Sequence, residues 1–269
     1  MDNKALTWPG YLRGEVMNAA LTTDTPPVSN FTKTLIDLMD RVEYRRVSVD
    51  EQMDPVYRLR YEAYRREEFI PINSQQMVRD EFDDLPNTYC FGVYLDGKLA
   101  SSVRFHYLTP EFRHSPSHSV FPDVLDPLLD RGLTIIDPGR FTADYEASLA
   151  FPALPFLTLR IPTMAIWHFQ VKYCLNTVRP EHTAFYRRVY RSVQLGEARY
   201  YHGLSFPMVL YACDLLSIED DLFHRYPFFR STVEERELLF SGQGTAVPAV
   251  RPSVRQAQRL AELSAMSAA

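Results

Sequence analysis

The period of the apolar positions changes several times along the chain, and each change marks an element. From Phe31 to Val42, residues Leu35, Ile36, Leu38, Met39 and Val42 recur at helical spacing, and Tyr44 to Val49 then alternates like a strand. Asp54-Pro55 predicts a helix start, with Asp as cap and Pro in the first turn. That helix carries Val56, Leu59, Arg60, Ala63 and Tyr64 to about Phe69. Tyr89 to Leu95 and Lys98 to Leu108 are two strands flanking Asp96-Gly97, the strongest short hairpin signal. Ser119 to Asp130 reads as a short amphipathic helix. Leu133 to Thr142 reads as a strand interrupted by Pro138-Gly139, a break that signals an edge or a bulge. A helix with a broad apolar face follows from Phe156 to Tyr173, then a strand from Cys174 to Val178 and a helix from Glu181 to Tyr190. Val193 to Leu195, Ala198 to Tyr201 and Met208 to Leu215 suggest a terminal pair of strands. Two further helical stretches lie at Ile218 to Phe223 and Val233 to Leu239. This order fits an α/β protein with one mixed sheet flanked by helices.

Composition divides the chain without changing that picture. Residues 1–30 read as a flexible leader containing Thr22-Thr23-Asp24-Thr25-Pro26-Pro27, residues 31–240 as a single domain, and residues 241–269 as a low-complexity tail. The tail holds one weak helix with Arg255, Arg259 and Glu262 on its polar side. Hydrophobic content of 46% and charged content of 23% are ordinary for a globular domain with a full core. A net charge of -5 gives no footprint for nucleic acid. Cys90, Cys174 and Cys213 sit in apolar stretches with no metal or disulfide spacing, which predicts buried thiols in a reducing compartment. With no secretory signal and no apolar run near the roughly 20 residues of a membrane span, the expected location is the cytoplasm.

Charge placement carries the chemistry. Arg60 and Tyr64 are four apart and share a helix face. An arginine on an apolar face needs a carboxylate or a buried carbonyl, unless it snorkels at the rim. In Arg79-Asp80-Glu81-Phe82-Asp83-Asp84, five of six residues are charged, which is either a solvated acidic turn or a set of inward carboxylates. Alternation from Leu99 to Leu108 puts Val103, Phe105 and Tyr107 on one face and Ser102, Arg104 and His106 on the other, so Arg104 is placed to pair with Asp80 or Asp83. Asp137 and Arg140 flank the Pro138-Gly139 break. Strand arginines and carboxylates are costly unless paired, so several of them together point to a preorganised charged site. His114 and His118 are four apart, but Ser115-Pro116-Ser117 is expected to break any helix there, and no metal site is read.

The combination resembles a known family. Arg60 with an aromatic four later, then Asp80-Glu81-Phe82-Asp83, Val103-Arg104-Phe105, and an acid with Arg140-Phe141 three later resemble the acyl-homoserine-lactone (autoinducer) synthases, as does Ser119-Val120-Phe121-Pro122-Asp123. Pro180-Glu181-His182-Thr183-Ala184-Phe185-Tyr186-Arg187-Arg188, followed by Gly196-Glu197-Ala198-Arg199-Tyr200, is similar to the related N-acyl amino acid synthases. Both have the N-acetyltransferase-like (GNAT-like) fold, and the resemblance covers roughly Tyr44 to Leu215. Tyr64 stands where the family has mostly Phe, Phe69 or Ile70 where Trp is common, and Asp137 where many members have Glu.

The resemblance implies an N-acyltransferase that moves a long-chain fatty acyl group to the α-amine of an amino acid. Its charged set would be Arg60, Asp80, Asp83, Arg104, Asp137 and Arg140. Asp137 would accept the amine proton, and the arginines with Asp80 and Asp83 would fix the helix over the site and hold the amino acid's carboxylate. Tyr64, Phe69, Phe82, Phe105, Phe141, Leu157 and Trp167 are the expected substrate-binding side chains. No cofactor is expected to bind tightly. The donor is an acyl thioester on acyl carrier protein or coenzyme A, and the glycine-free, apolar stretch from Thr142 to Leu159 favours the carrier protein over a pyrophosphate-binding loop. Lys172, Arg187, Arg188 and Arg191 would dock that acidic partner, and membrane contact would be peripheral, through the product. The alternatives are a lactone synthase using S-adenosylmethionine and a non-catalytic acyl-binding sensor. A coenzyme A-dependent acetyltransferase is disfavoured by the missing glycine loop.

Overall fold

The computed structural model describes residues 30–47, 54–201, 206–241 and 249–268. The expected leader, apart from Asn30, and the end of the strand expected to reach Val49 lie outside the described residues. The elements run α1 (Asn30–Met39), β1 (Val42–Arg46), α2 (Asp54–Arg66), β2 (Thr88–Leu95), β3 (Lys98–Leu108), α3 (Pro116–Val120), α4 (Pro122–Leu129), β4 (Ile135–Ala143) and α5 (Tyr145–Ala150). They continue α6 (Leu154–Phe169), β5 (Tyr173–Val178), α7 (Thr183–Tyr190), β6 (Val193–Tyr200), β7 (Pro207–Cys213), α8 (Glu219–Arg225), α9 (Val233–Phe240) and α10 (Val254–Ala268).

The strands form one seven-stranded sheet in the order β1-β2-β3-β4-β5-β7-β6. Every neighbouring pair is antiparallel except β4 and β5. The β2–β3 hairpin turns on Asp96 (φ 50°) and Gly97 (φ 79°), two consecutive left-handed residues that match the twist of the flanking strands. α6 lies against β3 and β4 and is buried on nearly all sides from Leu157 to Ile166, as a helix apolar all round must be. Arg160, in its middle, is fully buried. It pairs with Glu235 of α9 and donates to the carbonyls of Phe228 (2.9 Å) and Arg230 (2.6 Å). Glu235 also accepts from the backbone N–H and hydroxyl of Ser253, so one buried ion pair ties α6, α9 and the C-terminal segment together. That segment, read from composition as a tail, bridges Val250 to Tyr44 of β1 and buries Val254 and Ala257, and Arg255 pairs with Asp37 of α1 and with Asp40 just beyond it.

Ser115-Pro116-Ser117 keeps His114 out of the helix that holds His118, as expected: Ser115 caps α3 by accepting from the His118 N–H, and Pro116 sits in the first turn, where its missing N–H costs nothing. Two local expectations need correction. The helix expected from Ser119 to Asp130 is two helices, because Phe121-Pro122 ends α3 and starts α4. α6 stops at Phe169, closed by Gln170 in the left-handed conformation, so that Tyr173 opens β5.

The interruption in β4 has a definite form. β4 is a central strand, so Pro138 does not mark an edge. Ser102 pairs with Thr142 and Arg104 with Gly139, which leaves Val103 facing both Arg140 and Phe141. This is a bulge with Arg140 at φ 52°, and it re-aims the Arg140 side chain. On the other side of β4, pairing with β5 covers only Ile135 with Tyr173 and Ile136 with Cys174. Beyond Ile136 the two strands part, and Pro138 has no N–H to offer across the gap.

Candidate active site

The carboxylates are placed by a local motif. Asp80 caps a short 3-10 turn, Glu81–Asp84: its side chain accepts from the Phe82 N–H (3.0 Å), and its own N–H donates to Asp83 Oδ2 (3.0 Å). Asp80 and Asp83 thus stand in the reciprocal arrangement of a capping box, with an aspartate in the role usually given to Glu or Gln. The turn lies over the sheet face that carries Arg104 and His106.

Three arginines from three elements converge on these two carboxylates. Arg60 of α2, 0% exposed, donates through Nη1 to both Asp83 oxygens (2.8 and 3.0 Å) and through Nη2 to Cys90 Sγ (3.3 Å). Arg104 of β3 contacts Asp80 (2.5 Å) and Asp83 (2.9 Å). Arg140, redirected by the bulge, donates from Nε to Asp80 Oδ2 (3.0 Å) and pairs with it through Nη2. Burial pushes the Asp80 carboxyl up, but Arg104 and Arg140 outweigh it and hold it well below the usual carboxylate range. Three guanidiniums against two carboxylates leave one positive charge uncompensated within the cluster. Arg140 is its most open arginine, with the side chain 26% exposed and the guanidinium 5.5 Å from the centre of the Tyr64 ring.

Asp137 lies on the same sheet face but in a separate network. It pairs in register with His106 and is 2% exposed. Its carboxylate accepts from the Ser117 N–H (3.1 Å) and the Ser117 hydroxyl (2.6 Å). Ser117 Oγ in turn lies 2.7 Å from Thr177 Oγ1 and accepts from the Tyr201 hydroxyl at 2.8 Å. His106 Nε2 is 2.9 Å from the Phe82 carbonyl, and burial, followed by the Arg104 charge, pushes its pKa down to about 4. The imidazole is therefore neutral near pH 7, with its proton on the nitrogen facing that carbonyl.

Where β4 and β5 part, an apolar cavity opens, lined among others by Pro138, Leu159, Pro162, Cys174, Tyr190 and Leu215. Its volume, about 10 Å³, is close to the minimum one water needs, so an acyl chain would have to widen it. The structure does not bring the expected Phe105, Leu157 and Trp167 to the charged set or to this cavity. Phe105 is stacked on Tyr89 (5.0 Å) in the core, the Leu157 carbonyl accepts from Tyr44 (3.1 Å), and Trp167 stacks on Phe223 (4.9 Å). The α6 residues that reach the cavity are instead Leu159, Pro162 and Thr163. Tyr64, Phe82 and Phe141 do stand at the cluster: Phe82 lies edge-on to His106, and exposed Phe141 follows Arg140 in the bulge. Phe69 packs on Phe206 (4.8 Å), with the Arg179 guanidinium over both rings.

Arg187, Arg188 and Arg191 line one open surface groove. Lys172 is not among its lining residues; it pairs with Asp214. Among the described residues, no group of His, Cys, Asp or Glu is arranged to hold a metal ion, and no helix is long and apolar enough to cross a membrane. Sequence reasoning missed Ser117, Thr177 and Tyr201, three hydroxyls on α3, on β5 and just after β6, with no shared motif. The Ser115-Pro116 cap signal was the only available pointer to Ser117.

Residues 55–214 match the family profile of the N-acyl amino acid synthase FeeM. Among solved structures, FeeM, from uncultured soil microbes, superposes with a TM-score of 0.56 at 17% identity, covering 69% of this chain and 97% of its own. The coenzyme A-dependent acyl-homoserine lactone synthase BjaI gives a TM-score of 0.51 at 12% identity, covering 81% of this chain and 99% of its own. The acyl-homoserine lactone synthase LasI gives 0.50 at 13%, covering 76% and 96%. No match is found among the curated proteins compared by sequence. The matched stretch carries every member of the charged cluster, the bulged β4 and the parted strands, and the chain belongs to the FeeM family of N-acyl amino acid synthases, acyltransferases with the GNAT-like fold.

Proposed function

We propose that this acyltransferase moves a long fatty acyl group from acyl carrier protein to the α-amine of an amino acid, in the cytoplasm, leaving an N-acyl amino acid. One observation carries the reading: the cluster of Arg60, Arg104, Arg140, Asp80 and Asp83 holds one net positive charge beside the parted strands. Arg140 is also bonded to Asp80, but it is the most exposed of the three arginines and the one placed to attract the acceptor's α-carboxylate. Its planar fork suits that group. The acyl chain enters between β4 and β5 along Leu159, Pro162 and Leu215, where each buried methylene contributes about 0.8 kcal/mol.

The reaction breaks the thioester C–S bond and forms an amide C–N bond. The ammonium first loses one proton to Asp137; the second proton, released as C–N forms, goes to the departing thiolate. Donor choice rests on the connection from β4 to α6. It contains no glycine, and α6 opens on Ala153 with no side-chain cap and Pro155 in its first turn. Such a start has few free N–H groups for a pyrophosphate. The groove of Arg187, Arg188 and Arg191 offers an acidic carrier its docking charge. All three cysteines are free and buried, as suits a reducing compartment. Mass spectrometry of lipid extracts from cells expressing the protein tests the product class. An N-acyl amino acid absent from control cells supports the reading, and an acyl-homoserine lactone moves the enzyme to the S-adenosylmethionine reaction.

A further inference from the structure

The buried Asp137 network is not explained by acyl transfer with direct contact between base and amine. Asp137 is 2% exposed, and two hydrogens from Ser117 already occupy its oxygens. At 2% exposure the carboxylate presents almost no surface for an ammonium group to meet. Yet the hydrogen bonds around it have a fixed direction. A carboxylate can only accept, so the Ser117 hydroxyl must donate to Asp137. Ser117 Oγ then accepts from Tyr201, and Thr177 lies on its remaining side. Tyr201, like Thr177, is partly buried, whereas Ser117 and Asp137 are buried. Tyr201 directly follows β6, which ends at Tyr200, and comes a few residues before Phe206, which packs on Phe69.

We propose that Asp137 is reached through a relay of two hydroxyls, Tyr201 to Ser117 to Asp137, so that Tyr201 is the group that meets the acceptor amine. This rests on the reading of the protein as an N-acyltransferase with Asp137 as proton acceptor. The ammonium proton passes to Tyr201 Oη as the Tyr201 proton moves to Ser117 Oγ and the Ser117 proton moves to Asp137 Oδ1. Each hydroxyl gives up one proton and gains one, and Asp137 ends neutral. It returns its proton to solvent by the reverse path after the product leaves. Burial, then the Asp137 charge, push the Tyr201 hydroxyl above its ordinary range, so it stays protonated between turnovers. The other groups facing Asp137 do not compete. His106 on β3 is neutral and directed at the Phe82 carbonyl, Arg104 on the same strand is held by Asp80 and Asp83, and Cys174 on β5 is a buried thiol. On α3, His118 is bonded to Asp126.

The test is steady-state acyl transfer by the full chain with variants Tyr201→Phe, Ser117→Ala, Ser117→Thr and Asp137→Asn, across pH. Tyr201→Phe and Ser117→Ala should each lower kcat about 100-fold, with KM for both substrates within about twofold; Tyr201→Phe should change the melting temperature little, whereas Ser117→Ala, which takes a donor from a buried carboxylate, should lower it. Their rates should then climb with pH as the free amine forms, and the double variant should be no worse than either single. Ser117→Thr, which keeps the hydroxyl, should recover most of the rate. Tyr201→Phe with wild-type kcat and pH profile, while Asp137→Asn is inactive, would overturn the relay and leave the acyltransfer reading standing. A wild-type protein that acylates no amine would remove the reading itself, and the relay with it.

Discussion

Replacing Asp83 by asparagine removes a negative charge that two fully buried guanidiniums share. The Asp83 side chain is 0% exposed and lies 2.8 Å from Arg60 and 2.9 Å from Arg104. Its Oδ2 also accepts the Asp80 N–H, so the substitution disturbs the turn that aims Asp80. Arg104 keeps Asp80 as a partner, but Arg60 is left with Cys90 Sγ, a weak acceptor. Removing one partner of a buried pair costs about 3–5 kcal/mol, because the other charge stays in low dielectric without a counter-charge. A domain is stable by only about 5–15 kcal/mol, so Asp83→Asn should lose roughly a fifth or more of that, read as a drop in the urea midpoint at constant slope. A double variant, Arg60→Met with Asp83→Asn, should recover part of the loss, since one uncompensated cation is gone. Asp83→Asn with an unfolding free energy within about 1 kcal/mol of wild type would refute the claim that the cluster is a buried, mutually dependent unit.

Four further outcomes are expected. Glu235→Gln should cost about 3–5 kcal/mol, because Arg160 is buried at the centre of α6 and Glu235 is its counter-charge; denaturant unfolding measures it. The His106 pKa is lowered to about 4, so its neutral form is what the folded state favours. The unfolded chain binds that proton at about 6.5, so the stability it contributes is full above that pH and lost as pH falls towards 4. His106→Gln should flatten this part of the stability–pH curve. Gly97 has φ 79°, so Gly97→Val should destabilise the hairpin by about 1–2 kcal/mol, seen as a lower melting temperature. Charge reversal at Arg187 and Arg188 should raise the KM for acyl carrier protein. Added salt should do the same in the wild type, because exposed charges are screened beyond about 8–10 Å.

The parts of this fold that were legible in the sequence are those set by short-range rules. Asp96-Gly97 announced its hairpin because only residues tolerant of positive φ allow that turn. The alternation in β3 put Arg104 and His106 on one face, and the structure has them there beside Asp80 and Phe82. The parting of β4 from β5 was not legible, because it depends on how far two strands remote in sequence stay paired. Pro138-Gly139 marked the spot, yet the bulge itself falls one residue later, at Arg140. Arg160 was hidden by its surroundings: an apolar helix gives no sign that one of its charges is met by Glu235, 75 residues on. The aromatic and aliphatic substrate candidates shared that weakness. Phe105 and Phe141 are equally apolar on paper, and only the packing of the sheet separates a core ring from one at the site.

Donor competition with purified protein tests the central claim most directly. Long-chain acyl carrier protein, the matching acyl-coenzyme A and acetyl-coenzyme A are offered with a panel of amino acids and with S-adenosylmethionine, and products are quantified by mass. The account predicts an N-acyl amino acid, formed fastest from the carrier-bound long chain and slowest from acetyl-coenzyme A, with Arg140→Ala raising the KM for the amino acid. Preference for acetyl-coenzyme A, or a lactone formed from S-adenosylmethionine in place of an N-acyl amino acid, would contradict it.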